Sequence, residues 1–338
     1  MAEMHRINLA LQGGGAHGAF TWGALDELLA DERIEIAAIS GTSAGALNGA
    51  AVKCGLATGS RALARERLEM VWSQVGAVTD VWITPWFAVT SPLAISHAIE
   101  MSPGYQMMDA FGRAVSPYAL PDTAPDALRR IISHLSFDRI CSDVGPVFHV
   151  GATNVRSGKI KLFTGAEISP EAIMASACLP TLFPAVEIDG EHYWDGGYTG
   201  NPALFPLFDR ALPRDILIIN INPLDRPELP VTARDIQNRI NEISFNTSLL
   251  RELRAIEFVQ RLVRNGTVGP GQMKDVLVHM IADDALMRQL SVATKTVPNA
   301  AVMNALRSAG ATAAKRFLDQ DFDDLGQRST VDLEAMFA

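Results

Sequence analysis

The strongest constraint on this chain is a pattern that occurs twice in its first fifty-odd residues: an apolar run, a glycine turn, then apolar residues at helical spacing. INLAL (7–11) leads into GGGAHG (13–18), and Phe20, Leu25, Leu28 and Leu29 follow at the spacing of one helix face. IEIAAIS (34–40) leads into GTSAG (41–45), and small apolar residues continue to about Cys54. Strand, helix, strand, helix in this order implies parallel strands joined by a right-handed crossover. In a parallel sheet both turns emerge at the same carboxyl-terminal edge, and the helices that follow aim unpaired amides into one crevice. The pattern therefore brings Gly13, Gly14 and Gly15 next to Ser43 in space.

Further along, 61–75 and 125–134 read as helices, and PVFHVGATN and KIKLFTG, separated by RSGK, read as a hairpin or as neighbouring strands. SPEAIMASA (169–177) starts with a Ser-Pro helix signal. DILIININ (215–222) and VLVHMIA (276–282) read as strands, 232–264 as one long or two abutting helices, and 302–318 as a last helix. Between Ala77 and Thr123 the periodicity dissolves, and Trp82, Pro85, Trp86, Phe87, Met101, Tyr105, Met107 and Met108 gather. That segment reads as a lid or acyl-channel insertion, since Met is a pliable lining and long irregular insertions often cover sites. Ordinary core packing beneath a loop is the competing reading. No linker interrupts the chain, so 1–338 reads as a single domain whose 232–338 part is mainly helical.

With 48% apolar and 20% charged residues in 338, the chain can bury a large core. A net charge of -9 opposes general nucleic-acid binding and adhesion to anionic lipid over the whole surface. The three cysteines, Cys54, Cys141 and Cys178, fit neither a disulfide framework nor a zinc site. No metal-ligand spacing is visible. Without a secretory signal pattern or an apolar run of about 18 residues, the chain reads as cytoplasmic, with local peripheral membrane contact left open. Self-association into a homo-oligomer is also left open.

Gly13, Gly15 and Gly18 satisfy the dinucleotide-binding pattern G-x-G-x-x-G, but that fold wants an acidic residue at the end of the second strand. Ser40 and Gly41 stand there instead, so no dinucleotide cofactor is expected. GTSAG fits G-x-S-x-G, in which a sharp strand-to-helix turn exposes the serine hydroxyl; a serine N-cap is the bland alternative. Of the seven histidines, His149 and His279 lie within apparent strands and His17 in the glycine loop, and no Ser–Asp–His order fits well. In YWDGGYTGN (193–201), Asp195 precedes two glycines, as in a turn that sets a carboxylate against a ligand. A buried Asp can take a serine proton directly, although an Asp-Gly hairpin turn is the commoner meaning.

GGGAHG, GTSAG, the A-S-x-x-x-P run at Ala175–Pro180 and DGG, in that order, resemble the signature segments of patatin-like phospholipases from about residue 7 to 222. The resemblance implies a three-layer α/β/α fold with a central, mostly parallel sheet. It also implies a Ser–Asp dyad without histidine, with Ser43 the nucleophile and Asp195 the general base. The amides of Gly13, Gly14 and Gly15 would form the oxyanion hole, and no cofactor or metal would be needed. Members often carry Arg or Lys where this chain has His17. The implied activity is lipid acyl-ester hydrolysis of the phospholipase A type through an acyl-serine, on an acyl-ester substrate at a membrane or lipid surface. Alternatives are a long-chain esterase or thioesterase of the same fold, or a silent lipid-binding module.

Overall fold

The computed structural model describes residues 4–77, 91–119, 125–269 and 271–338. Its strands are β1 (His5–Leu11), β2 (Ile34–Thr42), β3 (Val147–Asn154), β4 (Ile160–Thr164), β5 (Val186–Ile188), β6 (Glu191–Asp195), β7 (Asp215–Ile219) and β8 (Leu277–Ile281). They form one sheet in the order β5-β6-β3-β2-β1-β7-β8, with β4 paired to β3. β3, β2, β1, β7 and β8 run parallel, and β4, β5 and β6 add antiparallel pairs at one side.

The helices are α1 (Gly18–Ala30), α2 (Ala44–Leu56), α3 (Arg61–Ala77), α4 (Pro92–Met101), α5 (Pro103–Ala114), α6 (Pro125–Ile132) and α7 (Phe137–Ile140). After them come α8 (Pro170–Ser176), α9 (Ala233–Arg264), α10 (Asp284–Met287), α11 (Val292–Thr296), α12 (Ala300–Gln320) and α13 (Leu333–Met336).

The central strands are largely apolar because both faces are covered. On β1, Ile7, Leu9 and Leu11 enter a core shared with α1, α2, α3 and α12, whereas Ala10 enters a second core with Leu249, Leu253 and Ile256 of α9. β7 divides the same way, with Leu217 and Ile219 on the first side and Ile216 and Ile218 on the second. The period of two along each strand thus separates two helical layers across one sheet, the expected α/β/α sandwich. Both outer layers and the β8 edge draw on residues 233–338, so the C-terminal third is built into the sheet's core.

α1 and α12 cross closely. A Cβ on Gly23 would overlap the Arg307 carbonyl, and one on Gly310 would overlap the Phe20 carbonyl, so each helix needs a glycine where it meets the other's backbone.

Two features were not anticipated from sequence. Residues 92–101 and 103–114, inside the span read as irregular, are helices. Ser91 and Ser102 cap them through bonds from the Ala94 and Tyr105 amides, and a proline follows each at the first helical position. That Ser-Pro signal is the one that marks α8. The hairpin β5–β6 also went unread: Asp189 and Gly190, at φ 52° and 78°, make the two-residue turn that joins its strands. Of the proposed cover residues, Trp82, Pro85, Trp86 and Phe87 lie outside the described residues, and Met101, Met107 and Met108 are exposed.

The helix crossing gives a test of sign. Gly310→Ala is expected to lower stability by about 1–3 kcal/mol through overpacking. Gly76→Ala, whose Cβ would meet among the described residues only the Met303 Cε at 3.8 Å, should stabilise slightly, as alanine normally does in a helix. Thermal unfolding of the two variants side by side checks both; a stabilised Gly310→Ala would contradict the close crossing.

Candidate active site

Ser43 stands between β2 and α2 at φ 54° and ψ −121°, a left-handed conformation that costs a non-glycine residue of order 1–3 kcal/mol. The surroundings fix it there. The Ser43 amide donates to Ser176 Oγ at 2.9 Å, and the Ser176 hydroxyl donates to the Gly151 carbonyl at 2.6 Å. The Ser43 carbonyl accepts the Leu47 amide at 3.1 Å, the first bond of α2. The flanking glycines are steric necessities: a Cβ on Gly41 would lie 2.6 Å from the Gly45 carbonyl oxygen, and one on Gly45 would overlap the Leu11 carbonyl. This is the physical content of G-x-S-x-G here.

Asp195 reaches Ser43 through a change of partner along β3. β2 ends with Thr42 opposite Gly151, and β6 takes over the same edge with Asp195 opposite Ala152, because β4 occupies the other edge. The end of β6 therefore lies beside the end of β2. Gly196 must be glycine, since a Cβ there would overlap the Gly151 carbonyl. The Asp195 amide donates to the Cys178 carbonyl, and its own carbonyl accepts the Thr153 hydroxyl, both at 2.8 Å. Its Oδ1 accepts the Gly197 amide at 2.7 Å. The residue is 1% exposed. Burial pushes its carboxyl up to about 7, against the opposing pull of the Gly197 amide and the Ser43 hydroxyl, which favour the charged form.

The glycine loop is anchored before it reaches the site. The Gly13 amide donates to Asn201 Oδ1 at 2.6 Å, and the Gly13 carbonyl accepts Asn222 Nδ2 at 2.9 Å. Three free amides are expected from the sequence, but that of Gly13 is already engaged. Gly14, with extended backbone, and Gly15, at φ 57°, line the cavity beside Ser43, Ala44 and Asp195, and Gly13 does not. Among the described residues no protein acceptor takes the Gly14 or Gly15 amide. A Cβ on Gly15 would overlap the Lys295 carbonyl, so α11 closes over the loop.

No histidine lines this cavity. His17 is buried, and its Nε2 meets Thr294 Oγ1 at 2.8 Å. The Thr294 hydroxyl already donates to the Ser291 carbonyl, which assigns the shared proton to the imidazole. Burial and the Lys295 charge hold His17 well below its ordinary range, so it is neutral. His279 of β8 pairs with Asp215 of β7 at 3.0 Å. Cys178 adjoins Asp195, and burial pushes its thiol up to about 12, which leaves it unreactive. Among the described residues no cluster of His, Cys, Asp and Glu is placed to hold a metal ion.

The cavity measures about 270 Å³, and its wall is largely apolar, with Leu47, Trp72, Ile131, Ile173, Leu182 and Phe245 prominent. None of the described residues 91–119 contributes to it. The residues that sequence reasoning missed are polar. Gln12 Oε1 accepts the Ile221 and Asn222 amides at 2.8 and 3.0 Å, and Gln12 Nε2 donates to Asn246 Oδ1 at 3.1 Å. Gln12, Asn201, Asn222 and Asn246 are all buried. A signal existed: Gln12 and Asn222 are amides at the ends of otherwise apolar strands, where burial demands a partner.

Two outcomes follow from this geometry. Ser176→Ala leaves the Ser43 amide without its acceptor and should cost about 1–3 kcal/mol in chemical denaturation; an unchanged midpoint would mean the hydroxyl does not hold the elbow. Asp195 has a raised folded-state pKa, so its contribution to stability is present below its unfolded value near 4 and is lost as pH rises through about 7. Asp195→Asn should therefore lose less stability than wild type between pH 4 and about 7, measured by denaturation midpoints across that range. Parallel curves would contradict the burial argument.

The same residues carry the comparison with known proteins. A family model described as patatin-like phospholipase matches residues 9–208, a span that holds both glycine turns, Ser176 and Asp195. Among solved structures, VipD from Legionella pneumophila is similar with a TM-score of 0.43 and 13% identity, over 94% of this chain and 67% of that one. ExoU, solved as the heterodimeric ExoU-SpcU complex from the type III secretion system of Pseudomonas aeruginosa, is similar with a TM-score of 0.32 and 15% identity, over 98% and 74%. No curated protein matches the chain. With the family match spanning more than half of its length, the chain belongs to the patatin-like phospholipases.

Proposed function

We propose that the protein is a serine acyl hydrolase that cleaves lipid acyl esters with Ser43 and Asp195 as a two-residue catalytic unit. Family membership supports lipid acyl hydrolysis in general. The observation that carries the specific reading is the placement of a strained, cavity-facing serine beside a buried carboxyl whose pKa is raised to about 7, with no histidine in the wall. A general base poised near neutrality is suited to taking the proton of a serine hydroxyl.

In the first half-reaction the Ser43 oxygen attacks the ester carbonyl as Asp195 accepts its proton. The carbonyl electrons pass to oxygen, and the oxyanion is met by the amides of Gly14 and Gly15. Collapse breaks the bond to the leaving alcohol, which takes the proton from Asp195 and departs, leaving an acyl-serine. Water then attacks the acyl-serine with Asp195 again as base, and the acid is released. Each loop amide supplies about 3 kcal/mol of transition-state stabilisation.

The apolar wall suits an acyl chain. Asn241 and Phe245 of α9 line the pocket, and Ile236, Ile240 and Ile243 on the same helix are exposed. Met107, Met108 and Phe111 of α5 are exposed as well, and α5 packs beside the 179–183 wall, where a Cβ on Gly112 would lie 3.6 Å from the Thr181 carbonyl oxygen. These two apolar rims suit a lipid surface approached from the aqueous side, and among the described residues no helix is long and apolar enough to cross a membrane. The chain would act as one unit, because the C-terminal third supplies α9 and α11 to the pocket wall.

Turnover of p-nitrophenyl esters from acetyl to palmitoyl tests the reading. Wild type should hydrolyse them with rates that climb with chain length, and Ser43→Ala and Asp195→Asn should each lose at least about a hundredfold in kcat. Activity should rise with pH through about 7, since Asp195 must be ionised to act. Intact mass should show one fluorophosphonate per chain on wild type and none on Ser43→Ala. Equal turnover by Ser43→Ala would contradict the proposal.

A further inference from the structure

Lys295 lies outside the region that matches the family, on α11, yet it reaches the glycine loop. Its carbonyl presses on Gly15, and its side chain is part of a short hydrogen-bonded relay. Nζ donates to Asn222 Oδ1 at 2.7 Å, and Asn222 Nδ2 donates to the Gly13 carbonyl at 2.9 Å. The peptide that owns this carbonyl also owns the N–H of Gly14, a cavity-lining residue whose amide no protein acceptor takes among the described residues. Charge placed at one end of such a relay polarises each group in turn. A donor on the Gly13 carbonyl draws electron density away from the Gly14 nitrogen and makes its N–H a stronger donor.

We propose that the Lys295 ammonium, acting through Asn222 and the Gly13–Gly14 peptide, polarises the oxyanion donor of this site and so serves as its distant positive charge.

The surrounding charges support that role. Lys295 adjoins Glu242, but Glu242 is already held by Arg226 at 2.6 Å and Arg239 at 3.3 Å. Asp235 acts on Arg226 as well, and the Lys295 ammonium makes its hydrogen bond to Asn222 rather than to the Glu242 carboxylate. His17, the ionisable side chain within the glycine loop, is neutral and turned to Thr294. Lys295 thus supplies from the C-terminal third a charge that the glycine loop lacks. Burial pushes its ammonium down to about 8, with Arg226 adding to the effect and Glu242 opposing it.

This inference rests on the hydrolase reading, and the experiment separates the two. Ser43-dependent turnover of a p-nitrophenyl ester is established first in wild type; its absence overturns the reading and the relay together. With turnover in hand, kcat, KM and pH profiles are measured for Lys295→Met and Lys295→Arg, with thermal unfolding as a control. Lys295→Met should lose about tenfold to a hundredfold in kcat with KM little changed. Wild-type activity should fall as pH rises through about 8 while Lys295 deprotonates. In Lys295→Arg, which keeps its charge, most of the rate should survive and that basic limb should move to higher pH. A Lys295→Met enzyme with wild-type kcat and an unmoved basic limb would overturn the relay. If Lys295→Met does not fold, a basic limb unmoved in Lys295→Arg overturns it equally.

Discussion

The contact on which the site depends is backbone against backbone: the Gly45 Cα, on the first turn of α2, against the Leu11 carbonyl at the end of β1. There is no space for a side chain between them. This contact sets two strand-to-helix turns side by side at one sheet edge, and the remaining geometry follows. α2 can start only if the chain reverses at Ser43, and the reversal puts a serine at positive φ with its hydroxyl toward the cavity. The strain is localised at one residue and is offset by bonds that converge from β3 and α8 through Ser176.

Around this apolar frame lies a layer of buried amides that fixes the glycine loop from behind. Asn201 and Asn222 hold Gly13 by its N–H and C=O, and Gln12 ties Asn222 to α9 through Asn246. Each of these side chains makes bonds inside the protein, as buried polar groups must. The arrangement divides the triple glycine: Gly13 anchors, and the Gly14 and Gly15 amides have no protein acceptor among the described residues. It also explains why a chain with a family match over 9–208 needs its last third. Asn222, Asn246 and Lys295 all lie beyond the matched span and complete the support of a loop that begins it.

The order of strands and helices was legible in the sequence because parallel strands covered on both faces are written as short unbroken apolar runs, and the glycine turns mark where they end. The neighbourhood of Ser43 and Gly14 followed from topology alone. Asp195 was legible only as a candidate. Its position depends on β6 succeeding β2 along β3, a long-range register that neither strand's own residues announce. The α4 and α5 helices were hidden because α4 buries Ile95 and Ile99 but exposes Leu93 and Met101, and Met107, Met108 and Phe111 of α5 are exposed, although the Ser-Pro starts were present. The amide layer was hidden for another reason: a lone Asn or Gln at a strand end has meaning only when its partner, two hundred residues away, is known.

The most direct measurement of the central claim is a crystal structure of the protein after reaction with a fluorophosphonate. The account predicts a phosphonyl group on Ser43 Oγ, its oxygen about 2.7–3.1 Å from the Gly14 and Gly15 nitrogens, and the Gly13 amide still donating to Asn201. An adduct on Ser43 whose oxygen points away from the loop, or a phosphonyl group carried by a different residue, would contradict it.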